Sequence, residues 1–119
     1  MHRVLIAEDE AFTALALADM LEDRGHIVRD APDGAVALAI LEEFAARVLV
    51  TDLMMPKIDG AELIRQVRAK HGGAIAIILI TGVPESKLPG DLSYDAYLGK
   101  PVDHDALSRL VDRLAANTL

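Results

Sequence analysis

Short apolar runs alternate with stretches of helical periodicity along the whole of this chain, and that alternation restricts its fold more than any other feature. The runs are Arg3 to Ala7, Ile27 to Arg29, Val48 to Thr51, Ala76 to Ile80 and Ala96 to Leu98. Most are rich in branched apolar side chains, and each ends at acids, Gly or Thr, which is the signature of short buried strands. Between them Ala14-Leu17-Ala18-Leu21, Ala37-Ile40-Leu41-Phe44, Gly60-Leu63-Ile64-Val67 and Leu107-Leu110-Val111-Leu114 recur at spacings of three and four, predicting amphipathic helices. Asp59, with Glu62 three residues on, is placed to cap the third helix, and Gly25 and Gly72 sit where the first and third should stop. Strand and helix in alternation build a doubly wound parallel sheet with helices on both faces. Ligands in that α/β architecture lie beyond the carboxyl ends of the strands.

One region departs from the alternation. Val83 to Asp95 occupies the place of a crossover helix but contains Pro84, Pro89 and Gly90. Proline inside a helix costs roughly 3 kcal/mol, so this helix is expected to be short or absent. A length of 119 residues with 52% apolar and 26% charged side chains suits one compact domain spanning residues 1–119. A net charge of −7 argues against a nucleic-acid surface or an anionic membrane surface as partner. The absence of cysteine excludes disulfides and thiolate sites and agrees with a reducing compartment. The opening MHRVLIAEDE is neither a signal peptide nor a membrane span, so a cytoplasmic location is expected.

The strand ends collect the polar chemistry: Glu8 and Asp9 after the first strand, Asp52 after the third, Thr81 after the fourth and Lys100 after the fifth. Carboxylates brought this close repel one another and rise in pKa unless a cation sits among them, and a hard divalent ion with oxygen ligands suits that role. Magnesium is the expected ion. A carboxylate beside it can attack a phosphoryl group, with the ion, a lysine and a hydroxyl stabilising the equatorial oxygens. Each residue has an ordinary reading when taken alone: Asp52 a turn acid, Thr81 a strand-end hydroxyl, Lys100 a solvated lysine before a proline. Their joint placement carries the chemical reading. Glu10 reads as the start of a helix, Lys57, Asp59 and Asp95 as loop or capping residues, and Met54-Met55 as loop packing. His2, His26, His71 and His104 match no metal-ligand spacing and are assigned no role.

The ordered set Glu8-Asp9, Asp52 with Met55-Pro56 and Asp59-Gly60, Thr81-Gly82, and Tyr97 ahead of Lys100-Pro101 strongly resembles the receiver domain of two-component response regulators over essentially the whole chain. The resemblance implies a flavodoxin-like strand order of 2-1-3-4-5. It also implies that Asp52 accepts a phosphoryl group from the phosphohistidine of a histidine kinase or phosphotransfer protein. Magnesium would be held by Asp9, Asp52 and the Met54 carbonyl, and by Glu8 through water. Thr81 and Lys100 would contact the phosphoryl oxygens, with Thr81 and Tyr97 as the switch pair that alters binding of a downstream protein.

Glu8 replaces the family's more common Asp, and Met54 and Val83 are apolar where faster-hydrolysing relatives often carry polar residues. The shortened Thr81-to-Lys100 segment is similar to that of mostly single-domain alphaproteobacterial receivers with a reduced fourth helix. The expected role is therefore a signalling switch that catalyses only its own phosphoryl transfer and loss. It would act as a single-domain regulator, with a receiver module of a longer regulator or hybrid kinase as the alternative. A phosphohydrolase of the haloacid-dehalogenase type would need a second aspartate where Met54 stands. A flavin carrier would meet repulsion between its phosphate and Glu8-Asp9-Glu10.

Overall fold

The computed structural model describes residues 1–117. Five parallel strands, β1 (Arg3–Ala7), β2 (Ile27–Ala31), β3 (Val48–Asp52), β4 (Ala76–Thr81) and β5 (Ala96–Gly99), form one sheet in the order β2-β1-β3-β4-β5. The helices are α1 (Ala11–Asp23), α2 (Gly34–Leu41), α3 (Gly60–His71) and α4 (His104–Asn117). This is the α/β flavodoxin-like fold expected. The strand period of two divides the core into two layers. Leu5, Leu49, Ile77 and Leu79 pack with Leu63, Ile64 and Val67 on one face. On the other, Val4, Ile6, Val50, Ile78 and Ile80 pack with Leu17, Leu21, Leu107 and Val111. β3 and β4 are buried along their whole length, which is why their sequences read as unbroken apolar runs.

Local chemistry sets the element ends. Glu10 caps α1 by accepting the Phe12 N–H at 2.8 Å, Asp33 caps α2 through Val36 N–H at 2.9 Å, and Asp59 caps α3 through Glu62 N–H at 2.9 Å. The Glu62 carboxylate does not complete a reciprocal box; it accepts instead from Gln66. Gly25 and Gly72 both adopt positive φ after α1 and α3, where a side chain would be strained. Several boundaries differ from the sequence reading. β2 continues past Arg29 through Asp30 to Ala31, because an edge strand tolerates polar side chains. β3 and β4 each extend one residue, so Asp52 and Thr81 are the last strand residues themselves. α2 stops at Leu41, and Phe44 reaches the core from the turn that follows.

The crossover from β4 to β5 holds only a 3-10 turn at Glu85–Lys87, in keeping with its prolines. The rest is an irregular strap whose Leu88, Leu92 and Tyr94 side chains pack onto the α2–α3 face. Two arginines of α3 fasten it. Arg65 makes a fork of hydrogen bonds to Asp91 at 2.7 and 3.1 Å, and Arg68 reaches the Ser93 carbonyl at 2.9 Å and Asp95 at 2.7 Å.

Candidate functional site

Parallel register brings the strand ends to one rim: Ala7 pairs with Thr51, Asp52 with Ile80, and Thr81 with Gly99. Two backbone bonds extend that ladder into the site. Glu8 N–H donates to the Ala31 carbonyl at 2.9 Å, and Lys100 N–H donates to the Thr81 carbonyl at 3.0 Å. Glu8 and Lys100 therefore leave the sheet in fixed directions. The Lys100–Pro101 peptide bond is cis.

Lys100 Nζ lies 2.8 Å from Glu8 Oε1 and 2.7 Å from Asp52 Oδ2, bridging two buried carboxylates. The second oxygen of Asp52 accepts the Leu53 N–H at 2.7 Å. Burial, and then the facing Asp52 carboxylate, push Glu8 up to about 7 against the pull of Lys100. Burial also opposes ionisation of Asp52, yet the Glu8 carboxyl and the Lys100 ammonium outweigh it and leave Asp52 below the usual carboxylate range. Lys100 is drawn down by burial but held above the ordinary lysine value by the two acids. Asp52 is thus the carboxyl that stays ionised, and Glu8 carries the electrostatic strain of the pair.

That strain, and one orphaned atom, test the magnesium expectation. Glu8 Oε2 is buried and makes no hydrogen bond among the described residues. Carboxylate oxygens of Glu8, Asp9 and Asp52 lie within 4.8 Å of one another, with Asp9 exposed on the open side. A buried acceptor without a donor, in an all-oxygen cluster with an open face, fits a hard divalent cation. Met54, the expected carbonyl ligand, follows directly on the strand end, its N–H 3.5 Å from Asp52 Oδ1. The reading of Met54-Met55 as a packing pair is corrected here: Met55 is in the core, while the Met54 side chain is 68% exposed because the loop turns it away from the sheet.

The two expected switch residues meet at Val83. Thr81 Oγ1, buried, accepts the Val83 N–H at 3.1 Å, and the hydroxyl of half-buried Tyr97 donates to the Val83 carbonyl at 2.6 Å. Tyr97 is a packing aromatic and a hydrogen-bonding group at once. Three residues read as loop or capping acids and bases have defined partners. Asp59 is the α3 cap described above, Asp95 accepts from both Arg68 and the Ile77 N–H, and Lys57 Nζ lies 3.7 Å from buried Asp33. Asp33 itself drew no attention in the sequence, although Asp-Gly ahead of an apolar helical run is a capping signal. His26 accepts the His2 N–H and faces Asp112 Oδ1 at 3.1 Å. Beside Lys100 an open groove of about 630 Å³ is lined by Leu17, Pro101, Val102 and Phe12, the last 83% exposed.

Comparison with known proteins gives the family. The family model described as the response regulator receiver domain matches residues 4–112. A 14.6 kDa protein of Leptolyngbya boryana is 38% identical over 92% of this chain and 87% of its own length. The sensor kinase CckA of Brucella abortus is 34% identical over 93% of this chain, which spans only 12% of that kinase. The chain likewise spans half or less of the length of several other curated relatives. Among solved structures, the receiver domain of the Francisella response regulator 1452 superposes with a TM-score of 0.89 at 29% identity, covering 98% of each chain. No helix of the described residues is long and apolar enough to cross a membrane.

Proposed function

The chain belongs to the response regulator receiver family of two-component signalling, and on that premise we propose that it takes a phosphoryl group onto Asp52 from a protein phosphohistidine and thereby changes which protein it binds. The observation that carries this is the Lys100 ammonium shared between Glu8 and Asp52 at the strand-end rim. It keeps Asp52 ionised as a nucleophile and already stands where charge must be neutralised. An oxygen of Asp52 forms the new P–O bond while the P–N bond to the donor imidazole breaks, its electron pair leaving with the ring nitrogen. Lys100 turns from the carboxylate to a phosphoryl oxygen, and Thr81, one strand over, is in place to hydrogen-bond another. Magnesium held by Asp9, Asp52 and the Met54 carbonyl, with Glu8 through water, would supply the remaining positive charge in transfer.

The exposed Phe12 and the apolar groove beside Lys100 support a protein donor, since they offer a helix of that donor an apolar seat next to Asp52. The phosphorylated site would act on the Val83–Asp95 strap through Thr81 and Tyr97, with a downstream protein reading that surface in the cytoplasm. Residues 1–119 act as one receiver unit. The kinship to CckA, of which the chain spans 12%, favours a second reading in which this unit is a module of a larger regulator or kinase, and the length of the native reading frame separates the two.

The test is intact mass after incubation with acetyl phosphate and magnesium. Wild type gains one phosphoryl group, and Asp52→Asn gains none. Retained loading in that variant would remove Asp52 from its role.

A further inference from the structure

The loop between β3 and α3 bears the expected Met54 ligand, and it is held at two places. At its base Gly60 N–H donates to the Leu53 carbonyl at 2.8 Å, and a Cβ at Gly60 would overlap the Asp52 carbonyl oxygen. Near its far end the loop touches the start of another crossover helix. Gly34, the first residue of α2, donates its N–H to the Ile58 carbonyl at 3.1 Å. A Cβ at Gly34 would overlap that same Ile58 oxygen and crowd the Ile58 side chain. Next to it Asp33 uses Oδ1 to cap α2 and faces Lys57 Nζ with Oδ2 at 3.7 Å. Lys57 sits at φ 67°, a left-handed conformation that a lysine adopts only where its surroundings hold it there.

Asp33 and Gly34 contribute nothing to the acid cluster and stand on another crossover, yet they seat the loop that follows Asp52. We propose that the β2–α2 turn, through Gly34 and Asp33, positions the Leu53–Asp59 loop for cation binding, so that both are positioning residues of the magnesium site. This rests on the proposed function above. Magnesium demands near-ideal octahedral geometry at about 2.0–2.1 Å, so a carbonyl ligand on a loop serves only if the loop is placed to within a few tenths of an ångström. Loops are otherwise the most mobile parts of a domain. An α2 N-terminus that follows closely on the end of β2 supplies that placement, and only a residue without a side chain lets the two backbones approach closely enough.

The test is calorimetric titration of the unphosphorylated protein with magnesium chloride. Gly34→Ala is expected to weaken binding by about fivefold or more while acetyl phosphate loading at saturating magnesium stays within about twofold of wild type, a split that general damage to the fold would not give. Should Gly34→Ala not fold, Lys57→Gln decides. Removing this cation from the loop tightens magnesium binding if Lys57 acts only through its charge, and loosens it by about twofold if the contact with Asp33 places the loop. Unchanged binding in a folded Gly34→Ala, or tighter binding in Lys57→Gln, overturns the proposal. Wild type that binds no magnesium and takes up no phosphoryl group would instead overturn the proposed function.

Discussion

Glu8 is the residue whose replacement tests the site's electrostatics most directly. Its carboxyl moves from an ordinary value of 4.5 to about 7 because it is buried and faces Asp52. A tenfold shift in proton affinity corresponds to about 1.4 kcal/mol, so keeping Glu8 ionised inside the fold costs on the order of 3 kcal/mol. The native state holds the Glu8 proton at pH values where the unfolded chain has already lost it. The side chain's contribution is therefore most favourable below 4.5 and is lost as pH rises to and through about 7. Glu8→Gln keeps the length of the side chain and an oxygen for Lys100 but removes the charge. Without divalent ions and near pH 8, the variant should be more stable than wild type by about 1–3 kcal/mol, and the gain should shrink below about 0.5 kcal/mol toward pH 4.5. The chain has no tryptophan, so urea unfolding is followed by far-ultraviolet circular dichroism. Saturating magnesium should stabilise wild type more than the variant, closing part of the difference. Equal midpoints at alkaline pH in the absence of divalent ions, or a flat wild-type profile across this range, would refute the account of Glu8 as a buried charge awaiting a cation.

The acyl phosphate on Asp52 is expected to be long-lived, because the exposed thioether of Met54 and the side chain of Val83 cannot hydrogen-bond an attacking water. Met54→Asn and Val83→Glu should each speed loss of label in a kinase-free decay assay, the pair more than either, and a wild type already as fast as the pair would refute this. Tyr97→Phe removes the hydroxyl bond to the Val83 carbonyl, at a cost of about 1 kcal/mol, and should hasten amide exchange at Val83–Lys87 more than at Asp91–Asp95, where the arginines hold. Asp9→Ala should weaken magnesium binding and acetyl phosphate loading together, and normal loading at low magnesium would take Asp9 out of the ligand set.

Much of the architecture was legible in the sequence because β3 and β4 are buried on both faces, so that burial alone fixed their composition. β2 was read as ending at Arg29 because it is an edge strand, where exposed Asp30 interrupts the apolar signal before buried Ala31. The five rim residues were legible since strand ends are easy to find once strands are, and a parallel sheet aligns them. Partners that depend on packing across the chain were not. Nothing in the sequence singles out Arg65 and Arg68; only the fold brings Asp91 and Asp95 opposite them. The meeting of Thr81 and Tyr97 at Val83 is set by main-chain geometry, which leaves no mark on residue identity.

The strap between β4 and β5 has one further consequence. A helix in that place would lengthen only in whole turns if its apolar face were to stay on the sheet, so insertions and deletions would come in steps of three or four residues. A strap anchored by side chains at Leu88, Asp91 and Asp95 imposes no such step. Single residues can be added at Gly90, outside the 3-10 turn, for a small cost in loop closure, about 0.6 kcal/mol even for a doubling in length. The sheet register and the rim that holds Asp52 would be untouched. A library of strap lengths and sequences grafted between Val83 and Asp95 is therefore a practical way to give the proposed phosphorylation chemistry a new protein to speak to.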